Sequence, residues 1–88
     1  MIINIKDLKN KIIYRANYRG TKEMDELLSS FTKKYINQLK REELTLLCNL
    51  LDYDDENLYK LNQDLPMSIK IETNKVVELF KSYKYNNK

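Results

Sequence analysis

Arg15 and Arg19 stand one helical turn apart, and Gly20, Glu23 and Asp25 follow directly. A guanidinium offers a planar fork of donors that matches a partner's carboxylate. Glu and Asp accept from a partner's backbone N–H groups or cations. Together these groups have the chemistry of recognising another protein surface, with no bond made or broken. Gly20 is the only glycine in 88 residues. Glycine reaches φ > 0 without steric cost, so a chain that uses it once places it where the backbone must turn. The plainer alternative is that these residues cap helices and solvate the surface, and physics alone favours that slightly.

Other chemistries are poorly served. There is no histidine, and Cys48 is the only cysteine, which removes the usual zinc, haem and Cys/His catalytic arrangements. One glycine builds neither a G-x-G-x-x-G fingerprint nor a P-loop. The run Asp52-Tyr53-Asp54-Asp55-Glu56 lacks the alternating ligands and central glycine of a calcium loop. It reads better as a helix start, with Asp54 as N-cap and Asp55 and Glu56 in the first turn. No catalytic residue, metal site or stably bound cofactor is therefore expected. Cys48 reads as a small buried hydrophobe, and its solitude rules out an internal disulfide and fits a reducing compartment. No run approaches 18 apolar residues, so membrane insertion is not expected. The start, Met1 to Ile5, has no secretory-signal character, and the expected absence of a targeting peptide favours a bacterial cytoplasm over mitochondrial import.

The net charge of +3 is unevenly spread. Residues 1–34 hold eight basic against four acidic side chains, residues 35–66 three against seven, and residues 67–88 five against two. Seven tyrosines interleaved with lysines raise the possibility of nucleic-acid binding. A helix-turn-helix over residues 8–38 is the best form of it. However, Glu23, Asp25 and Glu26 open the second helix where a recognition helix would meet bases. A small nucleic-acid-binding or regulatory module stays as the alternative, and no nucleic-acid partner is expected.

The elements that position these groups follow from periodicity. Helices are expected over 7–19, 21–38, 41–51, 54–63 and 73–84, with a frayed tail at 85–88. Asp7 is an N-cap or first-turn acid of the first helix, and Ile5, Leu8, Ile12 and Ala16 form its inward stripe, with Ile13 beside it. The second helix starts at Gly20 or Thr21, with Met24, Leu27, Leu28, Phe31 and Tyr35 inward. If Gly20 is its N-cap, Glu23 falls at the third helical position. Leu44, Leu47, Leu50 and Leu51 line the third helix, Leu58, Leu61 and Leu65 the fourth, and Val76, Val77, Phe80 and Tyr83 the last. Pro66 breaks the chain. Met67 to Glu72 alternates like a strand, but a lone strand has no partner, so an extended connector is expected. The fold class is all-α: a small five-helix bundle forming one domain over residues 1–88.

Arg15 to Asp25, followed by Leu27, Leu28 and Phe31, resembles the succinate dehydrogenase assembly factors, the FAD assembly factors or flavinators of the SdhE family. The family pattern R-G-x-x-E-x-D, then two apolar residues and a phenylalanine, is matched by Arg19, Gly20, Glu23, Asp25, Leu27, Leu28 and Phe31. A second block, two leucines followed by acids and another leucine, is similar to Leu50 to Leu58. Many members carry a tryptophan shortly afterwards, where this chain has Leu61, and that departure is expected to alter core packing or one edge of the contact surface. The resemblance implies a five-helix bundle that binds the flavoprotein subunit of succinate dehydrogenase and promotes covalent FAD attachment. Fumarate reductase is a possible further client. FAD is then the client's cofactor, bonded to a histidine of the client, so the lack of histidine here is no obstacle. The implied partner-binding residues are Arg19, Gly20 and Glu23, with Arg15 and Asp25 as contacts or braces. No enzymatic activity is implied, and the factor is expected to be a monomer when free.

Overall fold

A computed structural model describes residues 4–84. Five helices follow one another: α1 (Ile5–Asn17), α2 (Lys22–Tyr35), α3 (Arg41–Leu50), α4 (Asp55–Gln63) and α5 (Lys75–Ser82). No strand occurs among the described residues. α1 packs against α2 and α3, and α5 packs against α3 and α4. The two ends of the chain's path therefore meet across α3. The expected tail at 85–88 lies outside the described residues.

Each helix begins where a short polar side chain or a first-turn acid meets free backbone N–H groups. Asn4 Oδ1 accepts from Lys6 N at 2.7 Å, Thr21 Oγ1 from Met24 N at 3.2 Å, and Asp54 Oδ1 from Asn57 N at 3.1 Å. Asn74 Oδ1 accepts from Val77 N at 2.9 Å. α3 uses the reverse contact: Glu43, in its first turn, reaches back so that Lys40 N donates to Oε1 at 2.8 Å. Such caps are worth about 1 kcal/mol each. They place the helix starts more sharply than the apolar stripes do.

The boundaries differ from the sequence expectation at several ends. α1 starts on Asn4, so Asp7 is a first-turn acid and not the cap. It also stops at Asn17, which leaves Arg19 in the loop beyond the helix. α2 ends at Tyr35, not 38, because the bonding tightens there: Gln38 N donates to Tyr35 O at 2.8 Å, beside Leu39 N at 3.2 Å. α5 ends at Ser82 because the next carbonyls serve another helix. Asn62 Nδ2 donates to Phe80 O at 2.9 Å and to Tyr83 O at 2.8 Å. Ile5 and Ile13, expected inside or beside the stripe, are each 42% exposed, and Leu65 is 44% exposed beyond the left-handed cap Asp64.

The core is centred on Phe31. Its ring meets Phe80 at 5.2 Å and Tyr83 at 5.4 Å edge-on, and Tyr35 at 5.1 Å. Cys48 is buried, and so is Leu61, which fills its place in α4 without a larger ring. The alternating stretch 67–72 is a bent connector in which Met67 and Ile71 lean on the core while Ile69 faces water. A strand would need a neighbour to take its backbone groups, and the helices leave none.

Candidate functional site

The corner between α1 and α2 does not stand alone. It is pressed against the loop that joins α3 to α4, so the Arg15–Asp25 segment and the acidic run become one structure. Tyr18 ends α1 in a non-helical conformation (φ −125, ψ 72), and the chain then turns through Gly20 at φ +141. An L side chain rarely adopts that φ. A Cβ on Gly20 would also come within 3.2 Å of Asp55 Oδ2. Glycine is therefore required twice, by the backbone angle and by the neighbouring carboxylate.

Arg19 turns inward. Its side chain is 10% exposed, and its donors are spent inside the chain. Nε donates to Asp55 Oδ1 at 2.9 Å, Nη1 to Leu51 O at 2.9 Å and more distantly to Arg15 O at 3.4 Å, and Nη2 to Tyr53 O at 2.7 Å. Leu51 is the C-cap of α3, so a cation sits where helix carbonyls lack partners. Asp55 opens α4, where negative charge is favoured. One guanidinium thus bridges the end of one helix and the start of the next. The backbone N–H of Arg19 donates to Asp25 Oδ1 at 2.5 Å, which ties the loop to the first turn of α2.

Every acid of the 52–56 run has a partner within the chain. Asp52 pairs with Arg15, Asp54 caps α4, Asp55 takes Arg19, and Glu56 pairs with Lys60 at 3.0 Å. Among the described residues no group of three or more His, Cys, Asp or Glu side chains could hold a metal ion.

Of the five residues singled out from sequence, the fold gathers all at this corner but gives them two orientations. Arg15, Arg19 and Asp25 bond inward or to the neighbouring loop. Gly20 and Glu23 face solvent. Thr21, not Gly20, is the N-cap, so Glu23 is the second helical residue and its carboxylate is not drawn into a capping box. Instead Glu23 lines the rim of a cleft between α2 and α4, with Tyr59, Gln63 and Lys84. Asp52 and Asp55 were missed as partners of the arginines. Their signal was available: two arginines four apart and two aspartates three apart, each on the flank of a helix end. Tyr18 and Tyr14 meet beside the corner with tilted rings, centroids 4.7 Å apart, and are 71% and 65% exposed.

A small helical protein with a pinned, solvent-facing corner has the makings of a docking module. Residues 10–84 match the family described as the flavinator of succinate dehydrogenase, and the chain belongs to that family. It is 37% identical over 73 residues to the mitochondrial succinate dehydrogenase assembly factor 2 of the yeast Lodderomyces elongisporus, covering 78% of this chain and 44% of that one. The counterpart in Scheffersomyces stipitis is 43% identical over 49 residues, which is 56% of this chain and 33% of that one. The FAD assembly factor SdhE of Wigglesworthia glossinidia brevipalpis is 39% identical over 54 residues, 60% of this chain and 64% of that one. The chain thus spans about a third to a half of the length of the yeast relatives. No solved structure matches it.

Proposed function

We propose that this chain is an assembly factor that binds the flavoprotein subunit of succinate dehydrogenase and promotes covalent attachment of FAD to it. The observation that carries the reading is the corner itself. The charged and glycine residues of the family pattern meet at one preformed corner, with Gly20 and Glu23 outward and Arg19 and Asp25 bonded inward behind them. A preformed surface loses little conformational entropy on docking. A binder shifts a client's conformation only by its differential affinity for the two states. The factor then acts by gripping the client conformer in which flavin and acceptor side chain are aligned, and it leaves afterwards.

On this reading the chain is not itself an enzyme and holds no cofactor of its own: FAD belongs to the client, which supplies the side chain that bonds it. Arg15, Arg19, Gly20, Glu23 and Asp25 form the partner-binding corner. The factor is a monomer when free, and the related fumarate reductase flavoprotein is a second client. No helix among the described residues is long and apolar enough to cross a membrane. The lone buried thiol of Cys48 suits a reducing compartment, which we take to be the bacterial cytoplasm.

The test is in-gel flavin fluorescence of the denatured flavoprotein subunit, expressed in a host without its own factor. Fluorescence that needs this chain is the expected result. Equal fluorescence with and without it would sink the reading.

A further inference from the structure

Resting on that reading, we propose that Asp55 is a positioning residue for client docking. It holds the Arg19 guanidinium inside the corner, so that Gly20 and Glu23, and not Arg19, present the contact surface. Three nitrogens of Arg19 already serve Asp55, Leu51 O, Tyr53 O and Arg15 O. A client carboxylate could take this arginine only by breaking those bonds and drawing a largely buried side chain into the interface. The two nearest carbonyls supply acceptors, but Asp55 alone among these partners supplies negative charge. A guanidinium this buried loses more than one bond when its counter-charge goes, since the remaining site solvates a cation poorly. It then leaves for water.

The consequence reaches Gly20 through two routes. Arg19 and Gly20 are consecutive, and the Arg19 amide is the one fastened to Asp25. Asp55 itself walls the glycine, with Oδ2 3.2 Å from where a Cβ would stand. One carboxylate therefore fixes both the side chain before the turn and the open face of the turn. Glu23 follows on the first turn of α2, so its rim position against Tyr59 depends on the same anchorage.

Calorimetric titration of the apo flavoprotein subunit with wild type, R19A, R19K, D55A, D55N and the R19A/D55A double variant tests this. Circular dichroism at the working temperature selects the folded ones. R19A and D55A are each expected to weaken binding about tenfold or more, and the double variant no further than the weaker single, because both remove one clasp. R19K is expected to resemble R19A, since an ammonium cannot span the four acceptors. Amide exchange at residues 18–21 should quicken in D55A while α5 stays protected, which general destabilisation would not produce. Should D55A not fold, D55N keeps the volume and takes its place in every comparison. Wild-type affinity in D55A or D55N beside a weak R19A would overturn the proposal, because Arg19 would then act on the client directly. Unchanged exchange at 18–21 would overturn it too. Failure of wild type itself to bind would instead sink the assembly-factor reading and, with it, the client named here.

Discussion

The corner and the aromatic core are built from opposite materials. Around Phe31, Phe80 and Tyr83 the contacts are aromatic edges; of the two buried polar side chains among the described residues, Asn62 has both donor bonds filled and the Thr32 hydroxyl has no hydrogen-bond partner. At the corner, the contacts are ion pairs and backbone carbonyls gathered on Arg19, with solvent on one side. Apolar burial is non-directional and tolerates small shifts, so it secures that the chain folds. A charge-assisted fork fails when its geometry slips, so it secures where a particular surface sits. The aromatic core holds the fold, and the corner holds a shape. On the proposed function, a factor that releases its client has reason to separate the two.

Breaking the aromatic core should have the largest effect. Phe31→Ala removes a fully buried ring at the centre of three aromatic contacts and should cost about 3–5 kcal/mol. Set against a total of roughly 4–13 kcal/mol for a chain of this size, that is enough to lower the melting temperature sharply and to take client binding with it. Thermal unfolding followed by circular dichroism reads it, and a mild shift would mean the core is centred elsewhere.

Gly20→Arg comes next and should act on both properties. The positive φ and the Asp55 contact each resist a Cβ, at about 1–3 kcal/mol of strain. Flavin attachment to the client should nevertheless fall even where the variant is folded. A folded Gly20→Arg that still supports full attachment would remove the corner from the docking surface. Smaller again is Arg15→Ala. Its pair with Asp52 is open to water, with side chains 36% and 58% exposed, so a loss of about 0–1 kcal/mol is expected. The same change at Arg19 should cost clearly more. Equal effects at the two arginines would erase the distinction between surface pair and clasp.

The smallest effect is in the acid limb of stability. The Lys40 backbone N–H, and then Lys75 at 2.9 Å, hold the Glu43 carboxyl below its usual value. A depressed folded pKa means that this contribution is present above the unfolded carboxylate range and is lost as pH falls through the folded value. Replacing Glu43 with Gln should flatten that limb slightly, with no change near neutrality in the pH slope. Urea unfolding followed from neutral pH down through and below the carboxylate range measures it.

Much of the bundle was legible from the chain alone. Asp54 and Asn74 announce helix starts by their chemistry, and the stripe from Met24 to Phe31 points inward as its spacing demands. The ends of helices were less legible. α1 stops short because residues 18–20 are pulled into the Arg19 anchorage, and α5 stops because Asn62 claims its last carbonyls. Both causes lie far along the chain, 32 residues from Arg19 to Leu51 and 18 from Asn62 to Phe80. No local window contains them. The same holds for Ile5 and Ile13, whose apolar character suggested burial but whose neighbours never arrive.

The sequence by itself determined five amphipathic segments, most of their starts, the need for glycine at one turn, and the family. The segments and their caps rest on local propensity and on apolar periodicity, which operate over a turn or two of helix, whereas the family rests on the resemblance carried by the motif around Gly20. Only the tertiary structure decided that Arg19 faces in while Glu23 faces out. Both are charged residues in one short motif, and nothing local separates them. The difference is that Asp55 and two open carbonyls are brought to Arg19 by the packing of α1 on α3, whereas Glu23 is left on the rim of a cleft.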